Sequence, residues 1–186
     1  MVWGLNRAGV KDIMVVDHLA ATEKWKNLVN RRYARYVHRA EFLEMLRGGG
    51  LGTTVEAVVH MGACSSTTER DADFLMSNNT GFSIELCRFA LERGARFINA
   101  SSAATYGDGR QGFSDAPAMI EKLKPLNMYG YSKQLFDLWL LDNHLADSVA
   151  SLKFFNVYGP NEYHKGDMEE LAASPARHPA GVQHKL

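Results

Sequence analysis

Tyr129 and Lys133 are the two residues of this sequence whose types and spacing best suit proton transfer. They stand four residues apart on a predicted helix, so both side chains lie on one face, one turn apart. A tyrosine titrates near ~10, and an ammonium at about 4 Å lowers its pKa by roughly 3 units at an effective dielectric of ~20. The pair could therefore act as a general acid/base near neutral pH. The same spacing also occurs on solvated helix faces, so the elements around it decide its meaning.

Four short apolar runs and the helical stretches between them predict an α/β fold. Such runs, bounded by turn residues, are typical of buried parallel strands joined by crossover helices. The predicted strands are 12–17, 55–62, 96–100 and 150–155, and the predicted helices are 40–47, 72–93 and 129–145. In the long helix 72–93 we expect a core face made of Phe74, Leu75, Phe82, Leu86, Phe89 and Ala90. The order predicts a Rossmann-type, doubly wound parallel sheet.

Composition excludes several classes of partner. The 186 residues include 46% hydrophobic residues and equal numbers of basic and acidic residues, 21 of each, so no basic surface favours nucleic acid or an anionic membrane. No signal peptide and no run of 18 apolar residues is present. The two cysteines, Cys64 and Cys87, belong to no Cys-x-x-Cys pair, and His178 and His184 have no metal-ligand spacing. We expect a cytoplasmic protein with reduced thiols and no metal.

Ser102 follows the third predicted strand directly, within the run SSAATYG at 101–107. Open parallel sheets bind ligands beyond the carboxyl ends of their strands, so this serine could bond a substrate hydroxyl. A serine here could also cap a helix. Together with Tyr129 and Lys133, in this order and after alternating strands and helices, it resembles the extended short-chain dehydrogenase/reductases, the NAD-dependent epimerase/dehydratase family.

Longer motifs narrow the resemblance to the ADP-heptose 6-epimerases, over about residues 1–168. They are HMGACSSTTE at 60–69, PLNMYGYSK at 125–133, FNVYGP at 155–160 and HKG at 164–166. The resemblance implies a redox-neutral inversion at C6 of an ADP-heptose, for the lipopolysaccharide inner core. Hydride leaves to a nicotinamide cofactor and returns to the other face of the carbonyl. The resemblance also implies a homo-oligomer, and the same chemistry on another nucleotide sugar is the nearest alternative.

The resemblance assigns catalytic and substrate roles by position. Tyr129 and Lys165 would be acid/base groups on opposite faces of the carbonyl, which suits an epimerase because each face needs its own proton carrier. Lys133 would hold the nicotinamide ribose and lower the pKa of Tyr129. Substrate contacts fall on Ser102, Asn156 and Asp167, the last standing where the family pattern has serine.

The cofactor residues are assigned in the same way. Asp17 ends the first predicted strand, where a carboxylate accepts from ribose hydroxyls and favours NAD. The resemblance instead implies NADP, with Lys24 and Arg39 able to neutralise a 2′-phosphate, and NAD stays the alternative. The remaining implied contacts are His18, where an asparagine is expected, Met61, Gly62, Ala63, Cys64, Ser65, Asn78, Lys133, Val157 and Lys165. Cys64 lacks the His/Asn partner pattern of a catalytic thiol.

The sequence departs from the family pattern at both ends. Val2–Gly9 predicts the last turns of a helix, and the family's opening strand and glycine-rich turn do not precede it. The glycines at 48–52 follow a helix, the reverse of the order that cradles phosphate, so they predict a turn. We expect a partial nucleotide-binding domain over 1–168, a disordered tail over 169–186 and no substrate domain. An inactive fragment that associates with an intact homologue is therefore an alternative.

A dehydratase is disfavoured within the same family. The dehydratase pattern has an acid next to the Ser102 position, and Ala103 and Ala104 provide none.

Overall fold

Parallel strands alternate with helices in the computed structural model, which describes residues 1–49, 51–52 and 54–157. The strands are β1 (Met14–Asp17), β2 (Arg35–His38), β3 (Ala57–His60), β4 (Arg96–Ser102) and β5 (Val149–Phe154). The α-helices are α1 (Val2–Arg7), α2 (Arg39–Arg47), α3 (Ala72–Leu75), α4 (Phe82–Glu92), α5 (Pro117–Ile120) and α6 (Met128–Asp142). Short 3-10 turns lie at Glu23–Leu28, Ala103–Tyr106 and Ala146–Ser148. The α/β, Rossmann-type fold class is confirmed.

The chain divides into two compact units, and each contains its own parallel sheet. Of the residues that the structure describes, unit 1 contains Met1–Glu44 and Val157, and unit 2 contains those within Met45–Asn156. In unit 1, β1 pairs with β2. In unit 2, the strand order is β3-β4-β5, with Val58 opposite Phe97 and Phe97 opposite Val149. The single predicted sheet is thus represented by two separately paired groups of strands.

Strand β2 was absent from the sequence prediction. Its four residues, Arg35-Tyr36-Val37-His38, are polar at both ends, and among them only Val37 is buried. An apolar run cannot identify such a strand, because the signal of a buried parallel strand is consecutive apolar residues. The segment becomes a strand because it pairs with β1, with Val16 opposite Val37, and not because of its local sequence.

The predicted helix 72–93 is interrupted by a π-helical segment at Met76–Gly81, between α3 and α4. Asp71 begins α3 by accepting a hydrogen bond from the Phe74 amide at 2.9 Å. A π turn contains one residue more than an α turn, which shifts the apolar spacing across it, and the predicted core face therefore fits only in part. Buried as predicted are Leu75, Leu86, Phe89 and Ala90. Phe74 is 39% exposed, so its prediction as a core residue is wrong.

Aromatic rings and α6 make the core of unit 2. Phe97 on β4 and Phe136 on α6 are fully buried, with ring centroids 6.2 Å apart. Helix α6 begins at an asparagine cap, in which Asn127 Oδ1 accepts from the Gly130 amide at 2.8 Å. The cap and the Phe136 anchor fix the start and the rotation of the helix that carries Tyr129 and Lys133.

Candidate active site

Lys133 is buried in the second turn of α6, and its ammonium reaches the end of β4. The residue is only 4% exposed, and its Nζ donates a hydrogen bond to the Ala100 carbonyl at 2.8 Å. Burial lowers the Lys133 pKa to about 8, and the Asp137 charge opposes that shift. Tyr129, one turn earlier on the same helix, is half-buried. The predicted helical pair is present.

Ser102 ends β4 and caps the 3-10 turn that follows. Its Oγ accepts from the Ala104 amide at 3.1 Å, and its carbonyl accepts from the Thr105 hydroxyl at 2.8 Å. The capping role considered for this serine is therefore real. A cap uses a lone pair of the oxygen, so the hydroxyl proton remains able to bond a ligand oxygen.

The turn after Ser102 lies directly against the first turn of α6. A Cβ placed on Gly130 would stand 2.7 Å from the Ala104 carbonyl oxygen and 3.1 Å from the Pro125 Cβ. Such a contact leaves no room for a side chain, so a glycine is required next to Tyr129. This close approach brings the Ser102 turn to the residue that precedes Gly130 on the helix.

Asn79 connects the loop after β3 to α6, and sequence analysis missed it. The residue is 1% exposed. Its Oδ1 accepts from the Cys64 amide at 2.9 Å, and its Nδ2 donates to the Cys64 carbonyl at 3.1 Å and to Ser132 Oγ at 3.0 Å. Asn78, a predicted cofactor contact, donates to Asn79 Oδ1 at 2.9 Å. The available signal is a pair of adjacent asparagines in the middle of the predicted helix 72–93.

The π segment explains how this asparagine reaches both partners. Its wider turn lies between α3 and α4, and π turns recur at functional sites because they redirect side chains. Thr80 adds a second link by donating to the Ser132 carbonyl at 2.8 Å. The loop 61–65, the π segment and α6 are therefore one hydrogen-bonded assembly.

His60 is a second buried residue that sequence analysis did not select. It ends β3, and its Nε2 lies 2.8 Å from Ser83 Oγ. Burial first, and the Lys133 charge second, lower the His60 pKa to about 3. The ring is therefore neutral at physiological pH and adds no second cation beside Lys133.

Unit 1 brings together a second group of the predicted residues. Asp17 ends β1, and its Oδ1 accepts from the His18 amide at 2.6 Å and from Lys24 Nζ at 2.9 Å. The Lys24 ammonium also donates to the His18 carbonyl at 2.7 Å. Arg39 is the first residue of α2. The Asp17 and Lys24 side chains are 42% and 29% exposed, so the carboxylate can accept from ribose hydroxyls while the ammonium can contact a phosphate. This donor set fits a nicotinamide dinucleotide.

Among the described residues, two predicted contacts lie outside both groups. Asn156 is exposed beyond the end of β5, and Val157 is exposed and belongs to unit 1. Lys165 and Asp167 lie outside the described residues. Met61, Gly62, Ala63, Cys64 and Ser65 follow β3, which ends at His60, and the Cys64 backbone is held by Asn79.

Comparison with known proteins identifies the family. A sequence model of the NAD dependent epimerase/dehydratase family matches residues 2–179. The chain belongs to this family. Within it, the chain is 67% identical over 171 residues to an ADP-L-glycero-D-manno-heptose-6-epimerase of Nitratidesulfovibrio vulgaris, covering 92% of this chain and 53% of the relative. It is 48% identical over 173 residues to the Fusobacterium nucleatum enzyme of the same name, covering 91% and 52%. The resemblance to ADP-heptose 6-epimerases is confirmed.

Two solved epimerase structures share the fold. The crystal structure of ADP-L-glycero-D-manno-heptose-6-epimerase from Helicobacter pylori superposes with a TM-score of 0.72 at 24% identity, covering 89% of this chain and 53% of that one. The UDP-Glc/GlcNAc 4-epimerase of Campylobacter jejuni gives a TM-score of 0.63 at 24% identity, covering 90% and 50%. The chain spans about half the length of these relatives.

Three further features of the described residues concern metal-ligand groups, membrane-spanning helices and cysteines. The described ranges contain no group of three metal-ligating side chains. Within 1–49, 51–52 and 54–157, no helix has the length and apolar character needed to cross a membrane. Cys64 and Cys87 are both free thiols, and burial raises the Cys87 pKa to about 11. Cys87 therefore acts in this epimerase/dehydratase chain as a packing residue.

Proposed function

We propose that this chain carries the nucleotide-binding part of an ADP-heptose 6-epimerase that uses NADP. The observation that carries the proposal is the joining of three motifs in unit 2: Asn79 connects the Cys64 loop to α6, and Gly130 lets α6 contact the Ser102 turn. The 67% identity to an enzyme of that name supports the choice of substrate. Other nucleotide-sugar epimerases share the fold, so substrate choice rests on identity and not on fold.

The proposed reaction inverts C6 by oxidation and reduction on opposite faces. The cofactor, when bound, accepts a hydride and returns it. Tyr129 would remove the C6 hydroxyl proton on one face, and Ser102 would donate a hydrogen bond to the same oxygen. Lys165 would serve the other face.

The proposed role of Lys133 is to hold the ribose and stabilise negative charge near Tyr129. Its pKa of about 8 keeps most of the side chain as ammonium at neutral pH. Because the Ala100 carbonyl uses one of its three donors, two remain for a ribose hydroxyl and a phenolate. A buried cation of this kind interacts more strongly with developing negative charge than an exposed one does.

The proposed choice of NADP depends on the group in unit 1. Lys24 and Arg39 would contact the 2′-phosphate, and Asp17 would accept from the remaining ribose hydroxyl. The Asp17 to Lys24 ion pair reduces the repulsion between that carboxylate and a phosphate. Fluorescence titration with NADPH and NADH tests this part, and tighter binding of NADH would contradict it.

Incubation of the purified chain with NADP and ADP-heptose tests the activity. Proton NMR of the sugar would follow interconversion of the C6 epimers. We expect Tyr129→Phe to slow it by roughly 10²-fold or more, the size of a lost general acid/base. Tyr131→Phe is the matched control, because Tyr131 lies on the same helix and is exposed. Absence of interconversion at high wild-type concentration, with intact cofactor binding, would contradict the proposed activity of this chain.

A further inference from the structure

A buried ion pair contacts two elements that carry the proposed site, β4 and the turn after it. Asp137 on α6 and Lys153 on β5 are joined at 2.6 Å between Oδ2 and Nζ, and their side chains are only 3% and 8% exposed. Neither residue belongs to a motif that the sequence singles out. Two charges removed from water are costly unless their remaining hydrogen-bonding groups are satisfied.

The other partners of this pair are in elements that carry the site. Ser101 Oγ donates to Asp137 Oδ2 at 2.8 Å, and Ser151 Oγ donates to Asp137 Oδ1 at 2.9 Å. Lys153 Nζ donates to Thr105 Oγ1 at 3.0 Å. The Thr105 hydroxyl in turn donates to the Ser102 carbonyl at 2.8 Å. The network is therefore hydrogen-bonded to the Ser102 turn on both sides of Ser102, at Ser101 and at Thr105.

The same pair lies one turn along α6 from Lys133. The described groups that interact electrostatically with the Lys133 ammonium include His60 from β3 and Asp137 from α6, and Asp137 is paired to Lys153 from β5. Asp137 opposes the loss of charge that burial imposes on Lys133. His60 is neutral, so Asp137 supplies the compensating charge.

We propose that Asp137 and Lys153 are a positioning pair that fixes the Ser102 turn relative to Lys133, and so fixes the substrate hydroxyl relative to Tyr129. The pair does not touch the substrate in this scheme. Its consequence for catalysis rests on the proposed function, whereas its effect on Ser102 and Lys133 does not. A pair needed only for packing could be replaced by apolar side chains of similar volume without altering either group.

The first test follows Lys133 itself and needs no activity. In protein with 13C-labelled lysine, the Cε signal of Lys133, assigned by its loss in Lys133→Arg, is titrated with pH. We expect Asp137→Asn to lower the Lys133 pKa by a unit or more, a tenfold change in its protonation equilibrium, and Lys153→Met not to lower it. Asp142→Asn, an exposed acid on the same helix, is the control and should leave the titration unchanged.

The second test follows the Ser102 turn. Exchange of the Ala104 amide, which donates to Ser102 Oγ, should speed up at least tenfold in Lys153→Met and return toward the wild-type rate in Lys153→Arg. If a single substitution prevents folding, Asp137→Asn/Lys153→Met removes both charges together, and it should still show a lowered Lys133 pKa and faster exchange.

Activity separates this proposal from the proposed function. If the wild type epimerises ADP-heptose, loss of the pair should move the alkaline limb of the kcat profile to lower pH, together with the Lys133 titration. If the wild type is inactive, the proposed function fails while the two NMR tests still decide this proposal. Folded variants with a wild-type Lys133 pKa and wild-type Ala104 exchange would overturn it.

Discussion

Unit 1 and unit 2 both contain parallel strands and helices, but they bury very different amounts of apolar side chain. In the described part of unit 1, Val37 and Phe42 are the only buried residues. Unit 2 buries large side chains from β4, α4 and α6, among them Phe97, Phe136, Leu75 and Leu86. Parallel strands and helices can thus form either a well-packed core or a sparsely packed unit that carries exposed polar groups.

The polar groups of unit 1 are also more exposed than those of unit 2. In unit 1, Asp17 and Lys24 are partly exposed and bond mainly to local backbone. In unit 2, Asn79, Lys133 and Asp137 are buried and connect elements far apart in sequence. Precise geometry in unit 2 follows from burial, since a buried polar group must find its partners.

The largest expected effect tests the core of unit 2. Phe97→Ala should lower the free energy of unfolding by about 3–5 kcal/mol, because it opens a cavity between His60 and Phe136. Phe42→Ala, in unit 1, should cost less because few buried groups surround that unit's core. Urea denaturation measures both. Equal losses would remove the distinction between the units.

The next effect tests the hydrogen bonds by which Asn79 connects the loop 61–65 to α6. Asn79→Ala leaves the Cys64 amide and carbonyl without their side-chain partner and should cost about 2–3 kcal/mol. NADPH affinity should fall about tenfold, equivalent to ~1.4 kcal/mol, because the loop 61–65 loses its anchor. Asn143→Ala is the control, since Asn143 is exposed and bonds only within its own helix end. Unchanged affinity in a folded Asn79→Ala protein would mean that this loop does not contact the cofactor.

A smaller effect tests the acid sensitivity of unit 2. The His60 pKa is about 3 in the folded chain against 6.5 as its ordinary value. Between these values the unfolded chain binds a proton that the folded chain does not, so stability falls by up to about 1.4 kcal/mol for each pH unit below 6.5. His60→Gln should lessen the loss between pH 7.5 and 5.5, measured by urea denaturation. His144→Asn, at an exposed histidine, should not.

The smallest stability effect is expected in unit 1. Lys24→Gln removes a partly exposed ion pair and should change the free energy of unfolding by less than about 1 kcal/mol. The same substitution should weaken NADPH binding more than NADH binding, as seen by parallel fluorescence titrations. A large destabilisation with unchanged cofactor preference would show that Lys24 is structural and would contradict its assignment.

The sequence predicted what local patterns encode. Apolar runs located β1, β3, β4 and β5, and the motif residues located the helix with Tyr129 and Lys133 and the turn with Ser102. It did not predict β2, whose order comes from pairing with β1. It did not predict Asn79, Asp137 or Lys153, because their roles depend on partners 15 to 53 residues away for Asn79 and 16 residues apart for the ion pair. Burial of polar side chains is a property of the assembled fold.

The π segment Met76–Gly81 also determines which changes of chain length unit 2 can accept. A π turn contains one residue more than the α turn it replaces, so a single deletion there would produce a continuous α-helix. A π turn holds its extra residue by widening, so the helices on either side would keep their relative orientation, and the side chains within the segment would be redirected. Asn79 would turn away from Cys64 and Ser132, while surface loops of the same chain could gain or lose residues at little cost. The number of residues in this segment therefore matters for function, and relatives that share the Asn79 hydrogen bonds should have a segment of the same length.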